Sequence, residues 1–125
     1  MRASVMSPNA LYGAMAVGGV GLALRLRERW PAITLTETHP KVLFYALSGD
    51  RYKPTDIRSA ARWFVERHDL PPVGERIDEH QFDALISAWA ARQGRARKWP
   101  DLCEPHTADM IFPAGPVSYL WPKSE

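Results

Sequence analysis

The sequence predicts an α/β chain that is mostly helical, with one central strand and a C-terminal β-hairpin. Three observations predict it. Apolar residues recur at helical spacing in four segments. One run, Ala32 to Thr38, alternates instead and is rich in β-branched residues. Two short apolar runs near the C-terminus flank Ala114-Gly115-Pro116.

Ser7-Pro8 opens the first helix, with a hydroxyl at the N-cap and proline at the first helical position. Leu11, Met15, Leu22 and Leu26 form its loose stripe, and Trp30-Pro31 ends it. Gly18, Gly19 and Gly21 each cost about 1 kcal/mol relative to alanine in a helix interior. The helix is therefore expected to break there or to receive another backbone closely. In the strand, Ile33 and Leu35 share one face, and Thr34, Thr36 and Thr38 the other. Pro40 opens a short helix from Lys41 to Leu47, stopped by Ser48-Gly49. Thr55 is the expected cap of a third helix that runs to about His68. Its apolar face is Ile57, Ala60, Ala61, Phe64 and Val65. Leu70-Pro71-Pro72-Val73-Gly74 breaks the chain. Asp78 and Gln81 then form a capping box for the strongest helix, whose stripe is Phe82, Leu85, Ile86 and Trp89. Met110 to Pro113 and Val117 to Trp121 are the two candidate hairpin strands. With no repeat, low-complexity tract or linker, residues 1–125 are expected to form a single domain.

Composition narrows the class. The 125 residues are 46% hydrophobic and 24% charged, which excludes a charged disordered tail and a collagen-like chain. A single cysteine, Cys103, excludes an internal disulfide framework and a multi-thiolate metal site. The apolar run Asn9 to Leu24 is about 16 residues, short of the roughly 20 that span a bilayer. Its arginines at 25, 27 and 29 follow it, where an export signal carries charge before. No membrane association and a cytoplasmic location are the resulting expectations. The net charge of +2 does not argue for nucleic acid by itself.

Few residues carry chemistry. Glu37 ends the strand and by alternation shares a face with Ile33 and Leu35. A carboxylate on an apolar face is costly unless paired or metal-bound. The competing reading is a solvated glutamate where the strand frays. His80 and Asp83 stand three residues apart on the strongest helix, beside its apolar stripe. There they suit Mg²⁺ or Mn²⁺, ions that take a few carboxylates and keep water. Favourable charge at a helix N-terminus competes as an explanation. That explanation accounts well for Asp78 and Glu79. Arg92, Arg95, Arg97 and Lys98 either contact nucleic-acid phosphates or complement a helix C-terminus, and the second is favoured. Trp63, Trp89, Trp99 and Trp121 read as packing residues rather than base-stacking platforms. A Cys103–His106 nucleophile pair is a weak candidate.

Two stretches, Thr36-Glu37-Thr38-His39-Pro40-Lys41-Val42-Leu43-Phe44 and Asp78-Glu79-His80-Gln81-Phe82-Asp83-Ala84-Leu85-Ile86-Ser87-Ala88, resemble a bacterial and archaeal family of RNase H-like nucleases. That family is catalogued as a domain of unknown function and is related to the Holliday-junction resolvase branch. The resemblance covers roughly residues 5 to 122. It implies a mixed sheet with helices on both faces and an acid cluster holding Mg²⁺ or Mn²⁺. In that pattern Glu37 matches the strand-end acid and Asp83 the acid of the last helix. His80 occupies a position one turn before, where a further ligand occurs. Two such metals would activate water and stabilise the leaving oxygen in phosphodiester hydrolysis. The family's first three strands and first-strand aspartate have no counterpart before Glu37. The chain thus resembles the C-terminal half of the fold. A truncated product, a misplaced start and a reduced protein completed by another chain all fit.

Three expectations follow. Glu37, His80 and Asp83 should converge within about 4 to 8 Å. Nuclease activity of the chain alone should be weak or absent. The chain should self-associate, because a lone strand leaves backbone groups unpaired. The alternative to a metal-dependent nuclease is a non-catalytic binding or assembly module that keeps the second half of the fold. A small DNA-binding accessory protein is a third and weaker reading.

Overall fold

The computed structural model describes residues 11–102 and 117–122. Its element order is α1 (Leu11–Arg29), β1 (Leu35–Glu37), α2 (Pro40–Ser48), a 3₁₀ turn (Pro54–Asp56), α3 (Ile57–Arg67), α4 (Glu79–Arg95) and β2 (Val117–Tyr119). The chain is mostly helical, and β1 and β2 form a small two-stranded parallel sheet. It groups into two compact units, where the sequence was read as one domain. One contains residues 1–36 and 103–118, the other residues 37–102 and 119–125.

In the first unit α1 runs unbroken through its glycines. A Cβ at Gly18, Gly19 or Gly21 would meet nothing within 4 Å. The expected break is absent, and no described residue makes the expected close backbone approach. The helix ends at Trp30, whose amide bonds Leu26 at 2.8 Å. The Ile33 amide then bonds the Trp30 carbonyl at 2.9 Å. That turn occupies the first residues of the alternating run, so the strand is three residues long rather than seven. It is also not alone, because β2 pairs with it. Ser7-Pro8, Cys103, His106 and the Met110–Pro113 hairpin strand lie outside the described residues.

The second unit is built around α2, α3 and α4. Pro40 starts α2, and Gly49 ends it in the left-handed conformation, φ 74°, with its amide on the Tyr45 carbonyl. The expected Thr55 cap does not form. Pro54 starts a 3₁₀ turn instead, and the Thr55 hydroxyl donates to Asp56 Oδ1 at 3.2 Å. The Asp78–Gln81 capping box forms in both directions. The amphipathic faces meet in a core of Leu43, Phe44, Ile57, Ala61, Phe64, Phe82, Ile86, Trp89 and Ala90. Phe44 lies edge-on to Tyr52, Trp63 and Phe82 with centroids 5.0, 5.4 and 5.7 Å away, the arrangement that ring quadrupoles favour. Trp63, Trp99 and Trp121 pack against this core. Chain beyond α4 returns over it: the Trp121 amide bonds the Pro100 carbonyl, and Leu120 covers Gly94.

Candidate functional site

The three residues expected to share a metal occupy different surroundings. Glu37 ends β1 exposed, so no apolar face buries its carboxylate. The strand begins only at Leu35, and the face-sharing with Ile33 is lost. His80 is exposed on α4, whereas Asp83 is half-buried. Among the described residues, no group of three or more His, Cys, Asp and Glu side chains is placed to hold a metal ion. The expected convergence of Glu37, His80 and Asp83 on one ion is therefore corrected. Glu37 and His80 point to solvent, and Asp83 is drawn into a protein contact.

That contact is with Tyr52, whose hydroxyl donates to Asp83 Oδ1 across 31 positions of sequence. Tyr52 sits in the loop after α2, held by edge contacts to Phe44 and Phe82, each 5.0 Å between centroids. Glu79, one helical turn before Asp83, pairs with Lys41 in the first turn of α2. Glu79 and Asp83 stand at i, i+4 on one side of α4 and face α2 and its following loop. The result is a polar strap of Lys41, Tyr52, Glu79 and Asp83 along one margin of the aromatic core.

The electrostatics agree. Burial, the hydrogen bond to Asp83 and the nearby carboxylates hold the Tyr52 phenol well above its usual ionisation range. Tyr52 thus stays protonated at neutral pH and serves as a hydrogen-bond donor to Asp83. The Lys41 ammonium is also raised, chiefly by its bond to Glu79; burial opposes this, and the charges of Glu79 and Asp83 add to it. Both protonated states, the neutral phenol and the charged ammonium, are stabilised by partners already in the protein. The strap ties α2 to α4: Lys41 neutralises Glu79, and the Tyr52 hydroxyl solvates the Asp83 carboxylate.

Periodicity marked Asp83 as bordering the apolar stripe, but it passed over Lys41 and Tyr52 and assigned Glu79 to the helix dipole. The signal available was the i, i+4 spacing of Glu79 and Asp83. Nothing in the local sequence says that Tyr52 folds onto it.

The basic residues divide. Arg92 and Arg95 lie in the last turn of α4, where cations complement the carbonyl end of the helix. Arg97 takes a left-handed conformation, φ 55°, and the Lys98 amide bonds back to Gln93. All four side chains are exposed. A cleft of about 570 Å³ between α3 and the following loop carries Arg58 and Arg62 together with Glu66, Asp69 and Glu75. Its mixed charges select no single ligand chemistry. Among the described residues no helix is long and apolar enough to cross a membrane. Comparison with protein-family models, with curated proteins and with solved structures finds no match to this chain.

Proposed function

We propose that this chain is a non-catalytic binding and assembly module that associates with a second copy of itself. One observation carries the reading: Asp83, the acid on which a metal-dependent nuclease would depend, is engaged by the Tyr52 hydroxyl beside the Lys41–Glu79 ion pair. A carboxylate that accepts a short-range donor and borders a core has a structural task. No third acid stands with Glu79 and Asp83 among the described residues. Self-association is supported by the size of the sheet, since two strands of three residues are marginal without further pairing. Strand addition across a two-fold axis extends such a sheet with the same surface used twice.

The test combines two measurements on the full chain. Light scattering at micromolar concentration is expected to give twice the mass of one chain. Labelled DNA and RNA, with Mg²⁺ or Mn²⁺ present, are expected to remain uncut. Tyr52→Phe should lower stability by about 1–3 kcal/mol, because Asp83 then loses a donor. Cleavage that depends on Mg²⁺ and vanishes in Asp83→Asn would overturn the reading and restore the RNase H-like nuclease. A monomer would remove the assembly half of the proposal.

A further inference from the structure

A recess of about 390 Å³ opens between α2, the loop after it and the start of α3. Three aromatic residues of the second unit line it: Phe44, Tyr52 and Trp63. Their rings are fixed against one another, Phe44 to Tyr52 at 87° and Phe44 to Trp63 at 75°. Two carboxylates, Asp50 and Asp56, stand along the same lining.

The polar groups around the recess are unevenly spent. Three hydroxyls line it, and each has its proton committed within the protein. Ser48 donates to the Phe44 carbonyl at 2.8 Å and lies 3.1 Å from that of Asp50. Ser59 donates to the Asp56 carbonyl at 2.9 Å. Tyr52 donates to Asp83. Acceptor capacity remains in surplus. Asp50 Oδ1 takes the Arg51 amide at 2.7 Å, and Asp56 Oδ1 takes the Thr55 hydroxyl at 3.2 Å. A carboxylate offers about four lone-pair sites, so among the described residues most of both carboxylates stays open. Arg51 also lines the recess, but its guanidinium carbon lies over the Tyr45 ring, 5.6 Å from the centroid. A neutral polyol needs donors as well as acceptors and would be poorly matched here. A free carboxylate or phosphate would face two like charges.

We propose that this recess binds a primary ammonium group carried on an aliphatic chain. The ammonium offers three donors and no acceptor, which complements carboxylates that lack donors. Its positive charge gains from Asp50 and Asp56 and from any ring face within about 6 Å. The aliphatic stem covers the aromatic floor, as lysine stems cover apolar surface elsewhere. Two sources present this chemistry: a free alkylamine or diamine, and the lysine side chain of a protein. The assignment deepens the binding-module reading and rests on it, because a module without chemistry still requires a ligand.

Titration calorimetry on the full chain tests it, with hexylamine, cadaverine, Nα-acetyl-lysine amide, hexanol and hexanoate as probes. Hexylamine is expected to bind, with hexanol and hexanoate at least about tenfold weaker. Asp50→Asn and Asp56→Asn should each weaken hexylamine by about tenfold with unchanged far-ultraviolet circular dichroism. Arg51→Gln should tighten it by removing the competing cation. Cadaverine as the tightest probe indicates a free amine, and Nα-acetyl-lysine amide as the tightest indicates a protein lysine. Hexanol binding as well as hexylamine overturns the proposal, as does amine binding indifferent to both aspartate substitutions, or no binding of any amine. Hexanoate as the preferred probe, lost in Arg51→Gln, also overturns it. Light scattering and the cleavage assay on the same preparation separate the two failures. Loss of amine binding leaves the assembly module standing, whereas Mg²⁺-dependent cleavage removes that module and leaves amine binding to be read directly.

Discussion

His68 shows how a single residue can set a pH response that its sequence context does not announce. It follows α3, with its ring 4.0 Å from that of Trp89 and 4.7 Å from that of Phe64. Its buried Nε2 has no hydrogen-bond partner among the described residues. Burial, with the Arg67 charge as a second cause, holds its pKa below the ordinary 6.5. The unfolded chain therefore takes up this proton at higher pH than the folded one does. Between the two pKa values the unfolded state binds more protons, so stability falls as pH drops below about 6.5 and levels off below the folded pKa. Urea midpoints measured at pH 7.5 and at pH 5 should separate in this direction. His68→Gln should reduce the difference, and an unchanged difference would mean that other groups carry it. Asp83 makes the complementary point. Its position beside the apolar stripe was legible from spacing, but its partner was not, because Tyr52 lies 31 positions away in a loop.

At the scale of an element, α4 was the most legible. Its cap, its stripe and its basic last turn all follow from local rules, and all appear in the structure. Its last turn also holds something local rules miss. A Cβ at Gly94 would lie 2.0 Å from Leu120 Cδ1 and 2.8 Å from Leu120 Cγ. Leu120 is itself buried, so this glycine gives the returning segment room to seat. Alanine in a helix interior normally stabilises by about 1 kcal/mol over glycine. Here the displaced leucine should reverse the sign, since overpacking costs about 1–3 kcal/mol. Gly94→Ala is expected to lower the thermal midpoint, and Gly94→Ala combined with Leu120→Ala should regain part of the helix benefit. A higher midpoint in the single variant would show that Leu120 swings aside freely. In α1 the opposite holds. The glycines at 18, 19 and 21 meet open space, so their sequence prominence marks no packing contact.

Across the molecule, the buried apolar side chains among the described residues lie in the second unit, most of them in its aromatic core. Phe64 and Phe82 are completely buried, their centroids 5.9 Å apart, and Phe64 also meets Trp89 at 5.3 Å. Phe64→Ala is expected to cost about 3–5 kcal/mol. Whole domains are commonly stable by about 5–15 kcal/mol, so this one truncation should leave the second unit near its unfolding threshold. Leu22→Ala on α1 should stay within about 0.5 kcal/mol, because Leu22 is 60% exposed. Denaturant curves followed by tryptophan fluorescence distinguish the two. Equal losses would place the stabilising core elsewhere.

By itself the sequence determined α2, α3 and α4, their stops, and the buried side of α3 and α4. Those properties rest on spacing along one chain segment: Phe82, Ile86 and Trp89 face the core because the helix repeat brings them there. It also identified Trp63, Trp89, Trp99 and Trp121 as packing residues. The tertiary structure alone decided which polar side chains meet. Glu37 is placed in solvent at the end of a strand that a turn after α1 leaves only three residues long. Asp83 is occupied because packing of α2 on α4 carries the Tyr52 loop over it, with Lys41 reaching Glu79 beside them. The spent hydroxyls and open carboxylates of the recess likewise depend on how α2, its loop and α3 close together. Periodicity records which face of an element avoids water. It holds no record of which distant residue arrives at the edge of that face, since that depends on loop paths and on the mutual angle of packed helices.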